Sequence, residues 1–539
     1  MASSRHGSAV RGLLGVPQSS IRDARFGRMF RNLPPAVFGE RDDQARAALI
    51  ALAATMLQGE FDAKIAAGKP VDVPLNEPEP EDENPDIPAG YTYLGQFIDH
   101  DITFDPVSSL DRFNDPDALQ DFRTPRLDLD SVYGSGPDDQ PFLYEEDGKH
   151  LLLGDDKDFD EARNARPDLP RNTAAIRRAL IGDKRNDENL IVSQLHSLFL
   201  RFHNRVLDTE AGGDFLEAQR IVRWHYQWIV LHDFLPRILG QETYEEIIGG
   251  RDGFPELTVY NSKGRYAYMP VEFAVAAYRY GHSQVRPSYA LNHKVQYASP
   301  STQLFHGKNA KFNRIPIFSL MDPPPPLANL NGFRELPDSW AIDWAFFYPD
   351  LEPDNPDELI PEGAVLPQPS YKLDTVLVDP LESLPDHQML PPELRSLAVL
   401  NLLRGWRMEL PSGQSVARRL SIPELTAEEL FDNENADRRT ARAKVLAEHP
   451  ALGTNTPLWF YILREAELLT DGVHLGPVGG TIIAEVLAGL MIEDRHSFLA
   501  QWPTWRPTLP SAVEGHFTMS DLVRFTEDKP PPATAASAG

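Results

Sequence analysis

The chain has 539 residues, a net charge of −28 and no cysteine. Without cysteine there can be no disulfide, thiolate catalysis, cysteine-ligated zinc or iron–sulfur cluster, so any metal must be held by histidine, carboxylate or carbonyl groups. The strong negative charge argues against non-specific binding to nucleic acid or to an anionic membrane surface. With 41% hydrophobic and 24% charged residues, the composition is typical of a soluble globular protein.

The first 40 residues are rich in glycine, arginine and proline and predict an irregular arm over the surface. Their only apolar patch, at 13–16, is too short for the core of a signal peptide, and no run of the chain reaches transmembrane length. We therefore expect no evident signal peptide or membrane span, and either a cytoplasmic location or export by a non-classical route.

Helical periodicity dominates the rest of the chain. Segments with apolar residues at helical spacing lie at 41–67, 190–207, 215–235, 271–281, 393–408, 423–430, 437–448, 458–469 and 478–493. Pro236 should end the helix predicted over 215–235. Between them, 70–88, 111–125, 134–158 and 323–385 are irregular and often rich in proline. No sustained alternating pattern predicts a long strand. The sequence therefore indicates a mainly α fold, one large domain over 41–527 with long ordered loops and a disordered tail at 528–539.

One short stretch carries an amide, two carboxylates and an imidazole at Gln96, Asp99, His100 and Asp101. On a helix, Gln96, Asp99 and His100 share a face, and Asp101 is turned by about 100° from His100. The pattern predicts two sites on one turn, a polar pocket on one side and a position for a hard cation on the other. Taken alone, a capped surface histidine explains the same residues.

The segment 124–134 places oxygen-bearing side chains at alternating positions, Thr124, Asp128 and Asp130. An extended loop of this kind suits Ca²⁺, which takes about six to eight oxygen ligands in flexible geometry. Asp101 is the natural remote ligand for such a site. A turn with solvated aspartates is the alternative interpretation.

Three further groups of residues have both a structural and a functional interpretation. Arg185 opens a helical segment and could aim a guanidinium into a buried site, where it would stabilise developing negative charge, although a solvated arginine is the simpler account. His282 follows Gly281 at the end of an apolar helix, and Asn401 and Arg404 share a helical face. By contrast, we interpret His196 and His203 as packed or hydrogen-bonded helix residues, and likewise the histidines at 225 and 232.

Six motifs occur together in one order. They are Gly95-Gln96-(x2)-Asp99-His100-Asp101, Leu127-Asp128-(x3)-Val132-Tyr133-Gly134, Gly182-Asp183-(x)-Arg185-(x2)-Glu188, Leu198-(x2)-Arg201-(x)-His203-Asn204, Arg279-Tyr280-Gly281-His282 and Asn401-(x2)-Arg404. Each motif is weak alone, but the ordered set resembles the animal-type haem peroxidases of the peroxidase–cyclooxygenase superfamily, from about residue 91 to the C-terminal helices. The segments 410–414 and 458–465 resemble bacterial members.

The resemblance implies a role for each matched residue. His282 is similar to the proximal ligand of haem iron, with Asn401 accepting its Nδ1–H; His100 resembles the distal base, Arg185 the distal arginine and Gln96 the distal amide. Asp99 and Glu188 match the carboxylates that form ester bonds to haem, and Arg279 and Arg404 resemble partners of its propionates. The calcium ligands implied are Asp101, Thr124, the carbonyl of Arg126, Asp128 and Asp130.

The resemblance further implies a haem b enzyme that splits hydrogen peroxide heterolytically and oxidises a small donor such as a halide, thiocyanate or phenol. Asn189 stands where a methionine forms a sulfonium link to haem in myeloperoxidase, so that link cannot form here. The alternatives are a fatty-acid oxygenase, disfavoured because Arg279 occupies the position of the radical tyrosine, and a non-catalytic adhesion protein, disfavoured because Gln96, His100 and Arg185 are all present. Oligomeric state and the reducing substrate are left open.

Overall fold

The computed structural model describes residues 25–57, 80–104, 121, 123–157, 166–250, 253–262, 267–293, 314–318, 329–354, 365–384, 391 and 394–530. Parts of several predicted segments lie outside these ranges: residues 1–24 of the arm, 58–67 of the helix predicted over 41–67, 70–79 of the acidic loop and 531–539 of the tail. Among the described residues, none of the helices is both long and apolar enough to cross a membrane.

The fold is mainly α, as the periodicity predicted. The helices are α1 (Asp42–Ala54), α2 (Ala89–Ile102), α3 (Asp130–Tyr133), α4 (Leu190–Thr209), α5 (Phe215–Ile229), α6 (Leu235–Leu239), α7 (Gln241–Ile247), α8 (Val271–Val275), α9 (Leu397–Arg407), α10 (Gly413–Leu420), α11 (Ala427–Phe431), α12 (Ala436–Glu448), α13 (Leu458–Thr470), α14 (Pro477–Glu493), α15 (Phe498–Gln501) and α16 (Met519–Thr526). Short 3₁₀ turns lie at Pro80–Asp82, Pro141–Leu143, Lys184–Asp187, Ala277–His282, Trp344–Phe346, Asp379–Glu382 and Pro450–Gly453.

The described strands form only two-stranded pairs. They are β1 (Phe26–Gly27), β2 (Glu83–Pro88), β3 (Asp156–Lys157), β4 (Arg166–Pro167), β5 (Met269–Pro270), β6 (Ser288–Tyr289), β7 (Ile315–Pro316) and β8 (Pro369–Tyr371). β1 pairs with β5 in parallel, and the pairs β2–β8, β3–β4 and β6–β7 are antiparallel. These pairs pin the long connections to the helical body.

The two longest described helices, α4 and α14, are largely buried. α14 is apolar nearly all round, which is the pattern of a helix enclosed by neighbours rather than lying on a surface. It packs against α13, α7 and α6, while α4 packs against α2, α5 and α16. The core therefore surrounds α2, and every residue of α2 except Gln96 and Asp99 is buried.

Several predicted helices differ from the observed ones. The segment predicted over 41–67 is helical only to Ala54 and is followed by a turn at 55–56, and the one predicted over 423–430 begins only at Ala427.

Two further segments contain an irregular turn. The apolar segment at 271–281 is not continuous, because the chain leaves helical geometry at Ala276 (φ −128°, ψ −70°) and tightens into the 3₁₀ turn Ala277–His282. Pro236 does not end the helix at 235, because a π-helical turn over Val230–Phe234 precedes it and Pro236 then falls in the first turn of α6. Proline is tolerated there since that backbone N–H has no helical partner.

The N-terminal arm also differs from the prediction in its described part. Phe26, Phe30 and Phe38 are buried in the core instead of lying over the surface. The backbone N–H groups of Met29 and Phe30 donate to the buried carboxylate of Glu272 in α8, at 3.0 and 3.2 Å. Residues 25–38 are therefore part of the folded body beside the turn that carries His282.

Candidate active site

A cavity of about 300 Å³ opens between α2 and the 3₁₀ turn Ala277–His282. Six of the predicted site residues line it, namely Gln96, Asp99, His100, Glu188, Arg279 and His282. The remaining wall is largely apolar and includes Ile317, Leu381, Leu384 and Leu397. Tertiary structure thus brings together residues that are as much as 186 positions apart in the chain, from Gln96 to His282.

α2 presents His100 to this cavity with a defined ring orientation. The helix begins after Pro88 and ends where Thr103 becomes extended and its hydroxyl donates to the carbonyl of Asp99 at 3.0 Å. The His100 Nδ1 atom lies 2.8 Å from Oδ1 of Asn186. The other ring nitrogen, Nε2, lies 3.5 Å from a carboxylate oxygen of Glu188. His100 is thus held at its back and is free to exchange a proton at Nε2.

Gln96 and Glu188 form a hydrogen bond across the cavity wall. The amide nitrogen of Gln96 donates to Oε1 of Glu188 at 2.7 Å, the same oxygen that faces His100. Both side chains are only partly buried, because they border the cavity. The amide, the imidazole and the carboxylate therefore form one polar group at one end of the site.

Arg185 is not among the residues that line the cavity. Its guanidinium lies behind His100, donating to the carbonyl oxygens of His100 (2.9 Å) and Thr103 (2.6 Å) and to the carboxylate of Asp183 (2.7 Å). It also lies over the ring of Phe104, 4.7 Å from its centroid. Because the end of α2 offers these carbonyls, the structure uses the guanidinium to fasten α2 to the 182–188 turn rather than aiming it into the cavity.

Asp99 lies on the cavity wall among positive charges. Burial alone would raise the pKa of its carboxyl group, but Arg279 and Arg185, together with a hydrogen bond from Thr103, outweigh burial and lower that pKa below its ordinary value. Asp99 is therefore ionised at neutral pH. An ionised carboxylate beside the cavity is the form required of a nucleophile toward a cofactor.

His282 occupies the end of the 3₁₀ turn and is held by a residue from α9. Its Nδ1 atom lies 2.8 Å from the amide nitrogen of Asn401, so the two residues meet as predicted. The direction of this hydrogen bond is the reverse of the prediction, because here the amide of Asn401 donates to Nδ1. A half-turn of the amide exchanges two groups of nearly equal size and would let Asn401 accept from Nδ1–H instead. Burial and then the charge of Arg279 lower the pKa of His282 to about 3, so the ring is neutral.

The two predicted propionate partners take different positions. Arg279 lines the cavity, with Nε donating to the carbonyl of Ala274 at 2.9 Å. Arg404 lies one turn after Asn401 on α9, half-buried and outside the cavity lining.

The ring of Trp459 meets His282 edge-on, with centroids 6.4 Å apart, and its indole N–H donates to the carbonyl of Arg279 at 3.1 Å. Trp459 therefore supports the turn from behind.

A second polar cluster lies behind α2. Asp101, Asp128 and Asp130 each offer a carboxylate oxygen within 4.8 Å of the others. Asp101 accepts from the backbone N–H groups of Leu129 and Ser131, at 3.1 and 3.4 Å, which fixes α2 to the loop. The hydroxyl of Thr124 lies 3.0 Å from Asp128, and Arg126 follows in the same turn. The four predicted side-chain ligands thus come together.

The electrostatics of this cluster favour a bound cation. Burial, and then the charges of its two neighbours, raises the pKa of Asp101 well above the ordinary range. Burial also raises the pKa of Asp130 to about 7, although Arg123, 3.3 Å away, opposes the rise. Arg123 beside Asp130, and Arg126 and Arg223 beside Asp128, oppose the rise in these pKa values without cancelling it. Oxygen donors of this kind match Ca²⁺.

The cavity wall offers unpaired polar atoms to a bound group. Four of its lining side chains carry buried polar atoms that have no hydrogen-bond partner among the described residues; they are Thr92, Asn189, Tyr278 and Gln284. Buried polar groups are nearly always paired, so these atoms indicate a ligand that supplies partners. A neutral imidazole at His282 and the guanidinium of Arg279 supply a metal ligand and a carboxylate partner. The residues present fit a haem.

Sequence reasoning missed two features of the site. Asn186 falls inside a recognised motif, but only the fold shows that it contacts His100. Phe333 lines the cavity mouth in the left-handed region (φ 54°), beside Gly332, where a Cβ atom would approach the carbonyl oxygen of Asp187 to 1.9 Å. This close contact places 331–333 against the backbone that carries Glu188. No local pattern in a proline-rich loop signals it.

Comparison with known proteins shows a similarity to one family. Residues 111–323 match the model of the animal haem peroxidase family. Thyroid peroxidase of Canis lupus familiaris is 30% identical over 186 residues, 30% of this chain and 19% of that protein. Chorion peroxidase of Aedes aegypti is 32% identical over 178 residues, 31% of this chain and 22% of that protein. The matched region thus spans only about a fifth of these relatives' lengths.

Solved structures agree on the fold. Peroxidase A of Dictyostelium discoideum aligns with a TM-score of 0.51 and 15% identity over 89% of this chain and 88% of that one. A fatty acid alpha-dioxygenase of Oryza sativa aligns with a TM-score of 0.52 and 15% identity over 93% of this chain and 79% of that one. At such identity the likeness establishes the helical fold alone. The family match adds to it: residues 111–323 are similar to the animal haem peroxidase family, and the peroxidases named above are 30–32% identical to this chain over the matched regions.

Proposed function

We propose that this protein is a haem peroxidase that reduces hydrogen peroxide and oxidises a small donor, such as a halide, thiocyanate or phenol. One observation carries the proposal. Two imidazoles from distant elements, His100 and His282, line the same cavity, and a buried amide holds the Nδ1 atom of each. One is thereby prepared as a base and the other as a metal ligand. The relatives named peroxidases support the same reaction class.

His282 would hold the haem iron through Nε2, because its Nδ1 is occupied by Asn401 and its ring is neutral. Asn401 would then accept the proton on Nδ1, a neutral second contact that leaves the imidazole a weaker donor than a carboxylate partner would. Arg279 on the cavity wall would pair with a propionate. Arg404, on the same helix as Asn401, is proposed as the second partner through a shift of its side chain toward the cavity.

His100 would move the protons of the reaction. Its Nε2 atom would take a proton from one oxygen of hydrogen peroxide and return it to the other, so that this oxygen departs as water rather than hydroxide. Bound haem supplies the electrons that break the O–O bond, and two electrons from the donor restore the starting state. Gln96, hydrogen-bonded beside His100, would orient the small molecule at the same end of the cavity.

Arg185 would act from behind the base. Its bonds to the carbonyls of His100 and Thr103 hold the end of α2 in place. Its charge also helps to keep Asp99 ionised. We propose this positioning role, together with stabilisation of negative charge at the distal side, for the arginine that the resemblance identifies.

Asp99 and Glu188 are proposed as sites of ester links to haem. Asp99 is ionised and lines the cavity, as an attacking carboxylate must. Each link would join a carboxylate oxygen to a methyl carbon of haem, with one methyl hydrogen leaving as a proton and two electrons passing to hydrogen peroxide, which is reduced to water. Glu188 accepts a hydrogen bond from Gln96. If Glu188 formed an ester, Gln96 would donate to an uncharged ester oxygen instead of a carboxylate oxygen. Extraction in acidic acetone tests the links, because haem that leaves the protein completely is not covalently held.

We further propose calcium at the cluster of Asp101, Asp128 and Asp130, with Thr124 and the carbonyl of Arg126 completing the ligands. The support is the convergence of the three carboxylates and the raised pKa of each, which the neighbouring arginines do not cancel. Since Asp101 follows His100 directly in α2, the ion would fix the helix that presents the base.

The experiment that tests the reaction is a donor survey on haem- and calcium-replete protein. Oxidation of bromide or guaiacol that depends on hydrogen peroxide supports the proposal. Oxygen uptake with linoleate and no peroxidase turnover would favour the fatty-acid oxygenase. A purified chain with added haem and no Soret band would mean that the protein does not bind haem, as expected of an adhesion protein on this fold.

A further inference from the structure

Two buried side chains lie directly behind His100 without lining the cavity. Asn186 belongs to the 3₁₀ turn Lys184–Asp187, and His196 lies in the second turn of α4. Both are fully buried. Neither can reach a substrate or cofactor, so any influence on the reaction must pass through His100.

The three residues form a hydrogen-bonded chain. Oδ1 of Asn186 lies 2.8 Å from Nδ1 of His100, and its amide nitrogen lies 2.9 Å from Nδ1 of His196. An amide has one end that only accepts and one end that only donates. With its nitrogen directed at His196, Asn186 offers His100 an acceptor. His100 must therefore carry its proton on Nδ1, which leaves Nε2 unprotonated toward the cavity.

His196 is the far end of this chain. To accept from Asn186 at Nδ1, the neutral ring must carry its proton on Nε2, and Nε2 has no hydrogen-bond partner among the described residues. The ring of Phe97 packs beside it, with centroids 6.1 Å apart. Burial lowers the pKa of His196 to about 3, so it does not acquire the second proton that would reverse the amide. A buried N–H without a partner is rare, which suggests a use for it.

We propose that Asn186 and His196 are positioning residues that fix the tautomer of His100. His196 orients the amide of Asn186, and the amide selects the ring form whose basic nitrogen faces the cavity. The consequence for catalysis rests on the proposed function, in which His100 accepts a proton at Nε2. The assignment of the His100 tautomer does not rest on the proposed function, because it follows from the three side chains alone.

Nitrogen NMR of the full chain tests the proposal without any turnover. Histidine labelled with ¹⁵N in its ring, in otherwise deuterated protein, reports which ring nitrogen carries the proton, and loss of one signal set in His100→Gln assigns His100. The spectrum is recorded without haem and with diamagnetic zinc protoporphyrin. We expect the His100 proton on Nδ1 in the unmodified chain.

Three variants separate positioning from structure. Asn186→Leu removes the acceptor, and His196→Phe frees the amide to turn, so each should populate the other tautomer of His100. Asn186→Asp keeps an acceptor and should retain the proton on Nδ1. Asn292→Leu is the matched control, since Asn292 is also buried and holds two backbone carbonyls away from this site. It should leave the His100 signals unchanged.

Two results would overturn the inference. One is a proton on Nε2 of His100 in the unmodified chain, the arrangement in which the amide is reversed. The other is an unchanged tautomer in both Asn186→Leu and His196→Phe. In the haem-loaded protein we expect these two variants to react with hydrogen peroxide about 10 to 100 times more slowly. If the tautomer is as proposed but the unmodified protein does not react with peroxide, the proposed function fails and the tautomer assignment stands.

Discussion

Removal of calcium from the cluster of Asp101, Asp128 and Asp130 should disable the site before it unfolds the chain. Their carboxylate oxygens lie within 4.8 Å of one another. At an effective dielectric constant of 20, two unit charges at that distance repel by about 3.5 kcal/mol, and three ionised groups make three such pairs. Repulsion of this size is comparable with the whole free energy of unfolding of a domain, so beyond the neighbouring arginines the cluster needs a cation or a proton. Chelation should therefore cause proton uptake and loosen the loop from α2.

The direction of the pH dependence follows from the metal-free pKa values. The pKa of Asp130 is about 7, and that of Asp101 lies well above its ordinary range. Calcium must displace the protons that these groups hold, so its affinity should rise as the pH increases through 7. Titration of the stripped protein with calcium in weakly buffered solution should release protons at pH 7, and fewer at higher pH.

Two measurements on the stripped protein complete this test. With metal content checked by elemental analysis, EGTA-treated protein should have a lower Tm and a slower reaction with peroxide, both restored by calcium. Asp128→Asn should weaken the response to calcium, and Asp437→Asn, a change at an exposed helix position, should not. If protein shown to be free of calcium keeps its full Tm and its full rate, the ion is not a brace for α2 and the reasoning is refuted.

Three further variants test separate parts of the structure. His282→Ala should abolish stable haem binding; a normal Soret spectrum in this variant would mean that another residue holds the iron. His100→Ala should keep the haem but slow the reaction with peroxide by roughly 10²–10⁴-fold in stopped-flow absorbance, and an unchanged rate would remove it from the role of base. Glu527 forms an ion pair with Arg166. Burial opposes ionisation of Glu527, but this partner lowers its pKa from 4.5 to about 2. At 1.36 kcal/mol per pH unit, the lowered pKa corresponds to a stabilisation on the order of 3 kcal/mol. That stability is present above pH 4.5 and is lost as the pH falls toward 2, so the difference in the free energy of unfolding between the unmodified chain and Glu527→Gln should shrink over this range. The exposed Glu434→Gln should show no such trend, and a gap for Glu527→Gln that is independent of pH would contradict the assignment.

Periodicity in the sequence was sufficient for most of the helical body. The predicted segments 437–448, 458–469 and 478–493 match α12, α13 and α14 within one residue at each end. Helix formation by an amphipathic or apolar segment is a local property, set by 3.6-residue spacing and by its ends. The exceptions, at Ala276 and Pro236, depend on how neighbouring elements take up an irregular turn, and no single segment encodes that.

Some features of the site likewise follow from the sequence, and others follow only from the tertiary structure. The sequence by itself determined the residue types and their order, from Gln96 and His100 to His282 and Asn401, and hence the chemistry expected of them. Only the tertiary structure decided which atoms meet: that Arg185 lies behind His100 rather than in the cavity, and that Asn186 joins His100 to His196. Motif spacing fixes positions along a chain, whereas hydrogen-bond direction and burial depend on side chains that distant segments bring to the same place.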